Sequence, residues 1–266
     1  MARARHRARA TDRDHTRAPP PLSVARATLS AVTVSVWWAA PVEPSSRPDL
    51  VALLDDHERD RMAALRRDDD RARYLAAHAL TRLVLGTHLD ADPAGLDLDR
   101  TCRCGRPHGK PRLTGRHDDP GFSLTHSGAL VGVALGAGPV GVDVEQHRPL
   151  PDLDGLARHA LSPAERDAGV LAADGFLVTW ARKEALLKAT GEGMSSPMEA
   201  ITLSAPDADA RVLDWPDAGG PWWVADVATP HPDHPGAVAG AGHAAPRIDV
   251  ADGDAVLSVV RGTMGR

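Results

Sequence analysis

Three short apolar runs follow one another between residues 122 and 145, and they restrict the fold more than any other feature of the chain. The runs 122–127, 129–135 and 140–145 each have the length of an ordinary strand, with four residues or fewer between neighbours. Connections this short suit antiparallel strands, because parallel strands need a much longer crossover. The sequence therefore predicts a mostly antiparallel sheet.

Apolar residues at helical spacing lie on either side of these runs, most clearly in segments 71–88 and 176–190. Three aspartates at 68–70 precede the first segment, where the positive end of a helix favours carboxylates. Gly191 follows the second, and a glycine commonly ends a helix. Segment 48–68 mixes charged and apolar residues in the same way and is also predicted to be helical.

The later part of the chain repeats this succession of helices and strands. Ser162 and Glu165 have the spacing of a capping box, which opens a helix. The stretch 229–246, rich in Pro, Gly, Ala and His, is predicted to be a loose loop or insertion. Further strands are predicted at 33–38, 200–203, 222–227 and 255–260.

These elements divide the chain into a tail and two halves. The first 26 residues hold seven arginines and a run of three prolines, a composition that builds no core, so residues 1–30 are predicted to be a disordered basic tail. An N-terminal half at 31–138 and a C-terminal half at 139–266 follow. The predicted fold class is α+β, in which each half is a small, mostly antiparallel sheet packed with helices.

Charge and hydropathy exclude two broad classes of protein. A formal net charge of -5 at pH 7 is unlike a general nucleic-acid binder, whose phosphate contacts require a basic surface. No apolar run approaches the roughly 20 residues of a membrane span, and no signal-peptide core follows the N-terminus. Cys102 and Cys104 are too close in sequence for an ordinary structural disulfide. We therefore expect a cytoplasmic protein that binds neither nucleic acid nor membrane.

Asp143 and Glu145 are the first candidates for chemistry. Two residues apart on a strand, their side chains point to one face about 6 to 7 Å apart, whereas Val142 and Val144 point into the core. Such a pair suits Mg²⁺, which takes a few carboxylates and leaves positions for phosphate oxygens. Taken alone, the pattern is explained better by an ordinary half-buried strand with a charged outer face.

The helix at 176–190 adds Glu184 and Lys188, which lie one turn apart on one face. The 31 basic residues include only three lysines, Lys110, Lys183 and Lys188, and a lysine kept in an arginine-rich chain indicates a need for a compact ammonium group. The alternative is an ordinary Glu–Lys pair that contributes little stability. Set opposite the strand carboxylates, Glu184 and Lys188 would complete a site for phosphoryl chemistry.

His126, flanked by the hydroxyls of Thr125 and Ser127, ends the strand predicted at 122–127. An imidazole in this position is able to donate a hydrogen bond to a phosphate, although a lone histidine is more often structural. No G-x-S-x-G or Walker-type loop occurs, so a serine hydrolase or a P-loop enzyme gains no support.

In their order along the chain, these motifs resemble the larger, monomeric type of 4′-phosphopantetheinyl transferase, which activates carrier domains of polyketide and nonribosomal peptide synthetases. The resemblance covers residues 66 to 193, and it departs from the family's usual serine at Thr125. The two carboxylate-bearing motifs at their separation are its specific part. The matching motifs are Arg73, Gly109-Lys110-Pro111, 122–128, 141–145 and 180–188.

The resemblance implies two similar α/β halves related by a pseudo-twofold axis, with coenzyme A between them. It also implies a Mg²⁺-dependent enzyme that transfers 4′-phosphopantetheine from coenzyme A to a serine of an acyl or peptidyl carrier protein and releases adenosine 3′,5′-bisphosphate. The implied magnesium ligands are Asp143, Glu145 and Glu184, and the implied catalytic residues are Asp143, Glu184 and Lys188.

The resemblance assigns the remaining motif residues to coenzyme A. Lys188 and His126 are expected to contact its pyrophosphate, and Arg73 and Lys110 its ribose phosphate. Lys183 is expected to support the same anionic site. Glu184 is the candidate base, in competition with its role as a metal ligand. The full set expected at the coenzyme is Arg73, Lys110, Pro111, Thr125, His126, Lys183 and Lys188.

Two other functions fit part of the pattern. Another Mg²⁺-dependent phosphoryl enzyme, such as a nuclease, would use the same carboxylates but needs a basic groove. A catalytically silent module that binds coenzyme A or carriers would be expected to lack one of the three acids. Cys102, Cys104 and His108 offer a partial zinc set without a fourth ligand at a usual spacing, and a pair of surface thiols is the preferred interpretation.

Overall fold

The computed structural model describes residues 33–102, 104–107, 109–114, 120–169, 173–191, 193 and 196–262. The predicted tail 1–30 and His108 lie outside these ranges. The strands are β1 (Thr33–Ala39), β2 (Leu98–Asp99), β3 (Arg112–Leu113), β4 (Gly121–Ser127), β5 (Leu130–Gly136), β6 (Val140–Val144), β7 (Thr202–Leu203), β8 (Val212–Asp214), β9 (Trp222–Val227), β10 (Gly236–Ala241) and β11 (Arg247–Asp252). The helices are α1 (Pro48–Val51), α2 (Asp56–Ala64), α3 (Asp68–Leu89), α4 (Leu153–Ala160), α5 (Pro163–Asp167), α6 (Ala173–Thr190) and α7 (Gly253–Ser258).

Two sheets form the centre of the molecule. The first has the strand order β11-β1-β5-β4, and the second has the order β6-β10-β9. All pairings in them are antiparallel except that of β1 with β11. Two small hairpins, β2-β3 and β7-β8, complete the strands of the described ranges. The predicted α+β class with small, mostly antiparallel sheets is confirmed.

The sheets and long helices stack in four layers. Alternate residues of β1 face opposite ways, because side chains of a strand alternate between its faces. Trp37 packs with α3, whereas Val36 and Trp38 pack against Val142 of the second sheet. The far face of the second sheet is covered by α6. The order of layers is therefore α3, first sheet, second sheet, α6, and β6 lies directly under α6.

Small residues allow α6 to approach β6 closely. Ala181, Ala185 and Ala189 form one face of α6 and are buried against the sheet. Gly141 of β6 faces this stripe, and a methyl group built on it would overlap the Ala185 carbonyl and the Ala189 amide. A side chain at residue 141 would force the helix away from the strand.

We expect Gly141→Ala to lower the free energy of unfolding by about 1 to 3 kcal/mol, because its methyl group meets backbone atoms that cannot rotate away. Urea titration at neutral pH measures the effect. Gly138→Ala is the matched control, since a methyl group there meets nothing within 4 Å. Equal stability of the two variants would contradict the close packing of α6 on β6.

The longest predicted helices and most strands agree with the structure within a few residues. The segment 71–88 lies in α3, with Asp68, Asp69 and Asp70 in its first turn, and the segment 176–190 lies in α6. Ser162 and Glu165 form the predicted capping box at the start of α5. The segment 48–68 contains α1 and α2, separated by a short break.

Two predictions in the C-terminal half are wrong. The stretch 229–246 is not a loose loop, because it contains β10, the buried central strand of the second sheet. Its Gly and Ala residues are small because β10 lies between α6 and the first sheet. Segment 255–260 is helical rather than extended, since Asp252 caps α7 by accepting a hydrogen bond from the Ala255 amide.

The chain does not divide between the sheets at the predicted position. β11 returns to the first sheet and pairs parallel to β1, with Thr33 opposite Arg247. The segment after residue 246 thus belongs with the strands of the predicted half 31–138, although it falls in the predicted half 139–266. None of the helices in the described ranges is long and apolar enough for a membrane crossing.

Candidate functional site

Hydroxyl groups join the two sheets where β4 meets β6. Ser123, Thr125 and Ser127 lie on one face of β4, at every second residue, and each accepts a hydrogen bond from a β6-side amide. The amides of Val142, Val144 and Gln146 donate at 3.2, 3.3 and 3.1 Å, respectively. Side-chain hydroxyls thereby take the place of the backbone carbonyls that would pair two adjacent strands.

The same hydroxyls hold the two carboxylates of β6. Thr125 Oγ1 donates to Asp143 Oδ1 at 2.9 Å, and Ser127 Oγ donates to Glu145 Oε2 at 3.2 Å. Asp143 is almost fully buried, and Val142 and Val144 point into the core as expected. Thr125 orients Asp143, and its expected contact with the coenzyme stays a prediction. Ser127 is a site residue that the sequence motifs did not assign. The regular hydroxyl alternation at 123, 125 and 127 was the available signal.

Lys188 reaches this joint from α6. Its ammonium group lies 2.6 Å from Asp143 Oδ1 and also donates to the Val142 and Leu124 carbonyls at 3.3 and 3.5 Å. Asp143 and Lys188, predicted from different motifs, are therefore in direct contact. The structure gives Lys188 an internal partner, and its expected contact with a ligand pyrophosphate stays a prediction.

Three carboxylates influence one another at this place. Burial and then repulsion from Asp143 raise the pKa of Glu145, and the same two causes raise the pKa of Glu184. Asp143 Oδ2 is buried without a hydrogen-bond partner. In the described ranges, no three His, Cys, Asp or Glu side chains are gathered as a ready metal site. Thr125, Lys188, Ser127 and Arg148 already bind Asp143 and Glu145, so the acids form a cluster of negative charge rather than a closed cage.

His126 is exposed at the end of β4, on the strand face turned toward α3, and lies near three basic groups. Desolvation of the ring, followed by repulsion from Lys188, His78 and Arg73, lowers the pKa of His126 to about 4, although the side chain is open to solvent on one side. The imidazole is therefore neutral at pH 7. It is able to hydrogen-bond an anion but carries no charge of its own.

Lys110 lies at a cavity of about 530 Å³, also lined by Pro111, Arg112 and Gly191. Its ammonium group donates to the Val140 carbonyl at 2.7 Å. Burial, then repulsion from Arg112 and Lys188, lowers the pKa of Lys110 to about 8. Arg112 is exposed, and sequence reasoning did not assign it. The mutual repulsion of these cations favours an anionic ligand.

Arg73 contributes to the same positive region but is already engaged. Its guanidinium group donates to Asp70 at 2.6 Å and to the Gly128 carbonyl at 2.9 Å. Its charge reaches His126 and helps to lower the pKa of that imidazole. Arg73 thus lies beside the expected coenzyme residues, with two of its donors used within the protein.

Lys183 does not belong to this group, contrary to the prediction. Its side chain is fully buried, and its ammonium group lies 2.5 Å from Glu165 and also donates to the carbonyls of Ala160, Met198 and Ile201. With these partners it has no donor to offer a ligand. Lys183 instead ties α6 to α5 and to the segment before β7.

Two further features lie outside the cluster. A cavity of about 580 Å³ runs along β9 and contains none of the predicted site residues. Cys102 is half-buried and Cys104 is exposed, while His108 lies outside the described residues. The zinc interpretation gains no support from the described part of the chain, which holds no ready metal set.

Comparisons with known proteins identify the family. Residues 139–239 match the family model of the 4′-phosphopantetheinyl transferase superfamily. The 4′-phosphopantetheinyl transferase HetI of Nostoc sp. is 31% identical over 211 residues, which cover 76% of this chain and 86% of that relative. A putative 4′-phosphopantetheinyl transferase of Synechocystis sp. is 31% identical over 191 residues, covering 68% and 74%. The transferase Sfp of Bacillus subtilis is 22% identical over 216 residues, covering 75% and 92%.

The fold and site thus describe an α+β enzyme in which strand carboxylates meet a helix ammonium group between two sheets. The chain belongs to the 4′-phosphopantetheinyl transferase superfamily. Its activity is accordingly of the holo-carrier-protein synthase type, as the resemblance implied.

Proposed function

We propose that this enzyme uses Mg²⁺ to transfer 4′-phosphopantetheine from coenzyme A to a serine of an acyl or peptidyl carrier protein, releasing adenosine 3′,5′-bisphosphate. The observation that carries the proposal is the contact of Lys188 with Asp143 inside a cluster of three acids, beside a cavity lined by Lys110. Acids beside basic groups suit a metal together with an anionic ligand.

The acidic cluster fits a magnesium ion chemically. Asp143 has one buried oxygen without a partner, and its charge raises the pKa values of Glu145 and Glu184. A divalent cation relieves both conditions, and oxygen ligands are the ones that magnesium prefers. Asp143, Glu145 and Glu184 would hold the ion, with side-chain rotations that release the present partners of Glu145. When bound, magnesium neutralises charge on the diphosphate of the coenzyme.

The basic groups position the coenzyme in this proposal. Lys110, with Arg112 at the same cavity, binds the ribose phosphate, and Arg73 adds positive charge from the side of β4. Pro111 lines that cavity. His126, neutral at pH 7, donates a hydrogen bond to the pyrophosphate. Lys188 then offsets the negative charge that gathers on the leaving bisphosphate.

The transfer is a displacement at phosphorus. The carrier serine oxygen bonds to the phosphorus that bears the pantetheine arm, and the bond from that phosphorus to the bridging oxygen breaks. The electron pair leaves with adenosine 3′,5′-bisphosphate, and the serine proton passes to Glu184. No hydrogen bond or ion pair to another described residue occupies the Glu184 carboxylate, so one of its oxygens is able to accept the proton while the other holds the ion.

The biological setting follows from the same resemblance. We propose a cytoplasmic monomer that serves carrier domains of polyketide or nonribosomal peptide synthetases. Of the positive groups of the site, Lys110 and Arg112 line a cavity of about 530 Å³ rather than a long groove, which disfavours a nuclease. All three acids are present, which disfavours a silent binding module.

The direct test is mass spectrometry of an intact carrier domain. The purified protein is mixed with Mg²⁺, coenzyme A and an apo carrier, and we expect the carrier to gain one phosphopantetheine group. A carrier whose acceptor serine is replaced by alanine should gain none. Absence of the adduct across several acyl and peptidyl carriers, from a protein shown to be folded, would refute the proposal.

A further inference from the structure

The hairpin turn between β4 and β5 contains one peptide group that the strands leave unpaired. Ser127 is the last residue of β4 and pairs with Leu130, the first of β5, so only Gly128 and Ala129 form the turn. In two-residue turns, the alternative types differ in the orientation of the central peptide group. Gly128 has a φ of 54° and no side chain, so its own sterics do not select one turn type over another.

Side chains from two distant elements bind this central peptide group from opposite ends. Arg73 of α3 donates to the Gly128 carbonyl at 2.9 Å. The Ala129 amide donates to Nε2 of His234 at 3.3 Å. The peptide group is therefore held between α3 and the connection that leads from β9 to β10.

The protonation of His234 follows from its partners. A backbone amide only donates, so Nε2 must present a lone pair and Nδ1 must carry the proton. Nδ1 lies 2.8 Å from Asp233 Oδ1, where this proton is donated to the carboxylate. The hydrogen bond from His234 lowers the pKa of Asp233, so this carboxylate is ionised at neutral pH and fixes the tautomer of the imidazole.

His234 is also fixed in place. The residue as a whole is only 2% exposed. The Glu145 amide donates to the Pro235 carbonyl at 3.1 Å, and the His147 amide donates to the Asp233 carbonyl at 2.7 Å. The backbone on both sides of His234 is thus hydrogen-bonded to the segment that follows β6, and this fixed imidazole contacts the turn that follows His126 and Ser127.

We propose that His234 is a positioning residue for coenzyme binding, which holds the Gly128–Ala129 peptide group in one orientation and thereby places His126 and Ser127. The effect on the coenzyme rests on the proposed function, because it requires that His126 contacts the ligand. The orientation of the turn does not depend on that function. His234 lies outside every motif that identified the site in the sequence.

Two polar substitutions separate positioning from mere burial. Glutamine places its carbonyl oxygen near the position of Nε2, whereas asparagine reaches only as far as Nδ1. We expect His234→Asn to raise the KM for coenzyme A about tenfold with kcat within about twofold, as for loss of one ligand contact. His234→Gln should keep KM within about threefold of the unchanged enzyme.

His231→Leu is the matched control. His231 belongs to the same connection and its ring lies 5.4 Å from that of His234, but within the described residues it forms no hydrogen bond with the turn. Its KM for coenzyme A should not change. An unchanged KM in His234→Asn, or an equal rise in His234→Gln or His231→Leu, would overturn the proposal.

Hydrogen exchange tests the turn independently of any activity. The Ala129 amide should exchange slowly in the unchanged protein and in His234→Gln, and at least about tenfold faster in His234→Asn, because the amide then loses its acceptor. Equal exchange in all three proteins would refute the positioning role even if transferase activity is found. If the exchange rates are as expected but the protein has no transferase activity, the role of His234 in the turn is supported and the proposed function is rejected.

Discussion

Asp143→Asn is expected to lower kcat for carrier modification by about a thousandfold while the protein stays folded. The amide keeps the shape of the side chain and an oxygen for the hydrogen bonds from Thr125 and Lys188, which now reach Asp143 at 2.9 and 2.6 Å. It removes the one charge that acts on both Glu145 and Glu184. Magnesium should then bind weakly, and the leaving bisphosphate loses its main stabilisation.

Initial rates of carrier modification measure this loss, and a second measurement concerns magnesium alone. In the absence of coenzyme, Mg²⁺ should raise the Tm of the unchanged protein and have a much smaller effect on Asp143→Asn, since a ligand stabilises only the state that binds it. Asp214→Asn, an exposed acid on β8, is the matched control and should behave as the unchanged enzyme in both assays. Full activity in Asp143→Asn would reject the role of Asp143.

Glu58→Leu is expected to lower the free energy of unfolding by about 3 to 5 kcal/mol, the largest stability effect we foresee. Glu58 is fully buried in α2 and lies 2.6 Å from both Arg82 and Arg100. His78 completes the group at 3.0 Å. Arg82 has no exposed surface, and without Glu58 its remaining ionic partner among the described residues is Asp55, which it shares with Arg100.

Chemical denaturation at pH 7 measures this effect. Asp56→Asn, at the first residue of the same helix, is the control, because that side chain is almost fully exposed and its ion pair with Arg59 contributes little. The double variant Glu58→Leu with Arg82→Leu should recover part of the loss, since the buried guanidinium group that lost Glu58 is gone as well. A loss below 1 kcal/mol for Glu58→Leu would show that the buried pair does not hold α2 on α3.

Glu58 should also make the stability of the protein depend on pH. Burial by itself would raise the pKa of Glu58, but His78 and Arg82 outweigh it and lower the pKa to about 2 from an ordinary 4.5. A carboxylate with a lowered pKa stabilises the folded state fully above about pH 4.5, and this contribution is lost as the pH falls toward 2. The decline between pH 4.5 and 2 should be shallower in Glu58→Gln. An identical decline in both proteins would contradict the assignment.

Periodicity predicted the elements that depend on local sequence. The apolar stripes of α3 and α6 and the runs that became β4, β5 and β6 were visible because each buries one or both faces in a regular pattern. β10 was missed because the sequence GAVAGA has a single β-branched residue, Val238, and is otherwise Gly and Ala, which are depleted in strands. Its residues are small because the strand is packed between α6 and the first sheet, and a single sequence does not show which layers will pack together.

The sequence predicted which kinds of side chain form the site better than it predicted which of them contact each other. Spacing indicated that Asp143 and Glu145 share a face, and the scarcity of lysine drew attention to Lys188, which does contact Asp143. The same argument misplaced Lys183, because scarcity does not distinguish a ligand contact from a buried partner of Glu165. Glu165 contacts Lys183 in the folded protein, but no sequence motif connects the two residues. The spacing of residues alone therefore could not have prevented the error.

The parallel pairing of β1 with β11 bears on how the protein is made. β1 leaves the ribosome long before β11, its neighbour in the first sheet, because the two strands are far apart along the chain. Until then β1 presents an unpaired edge, the kind of surface on which nascent chains aggregate. The first sheet is therefore complete only after β11 has been made, and a chain that stopped before residue 247 would keep an open sheet edge.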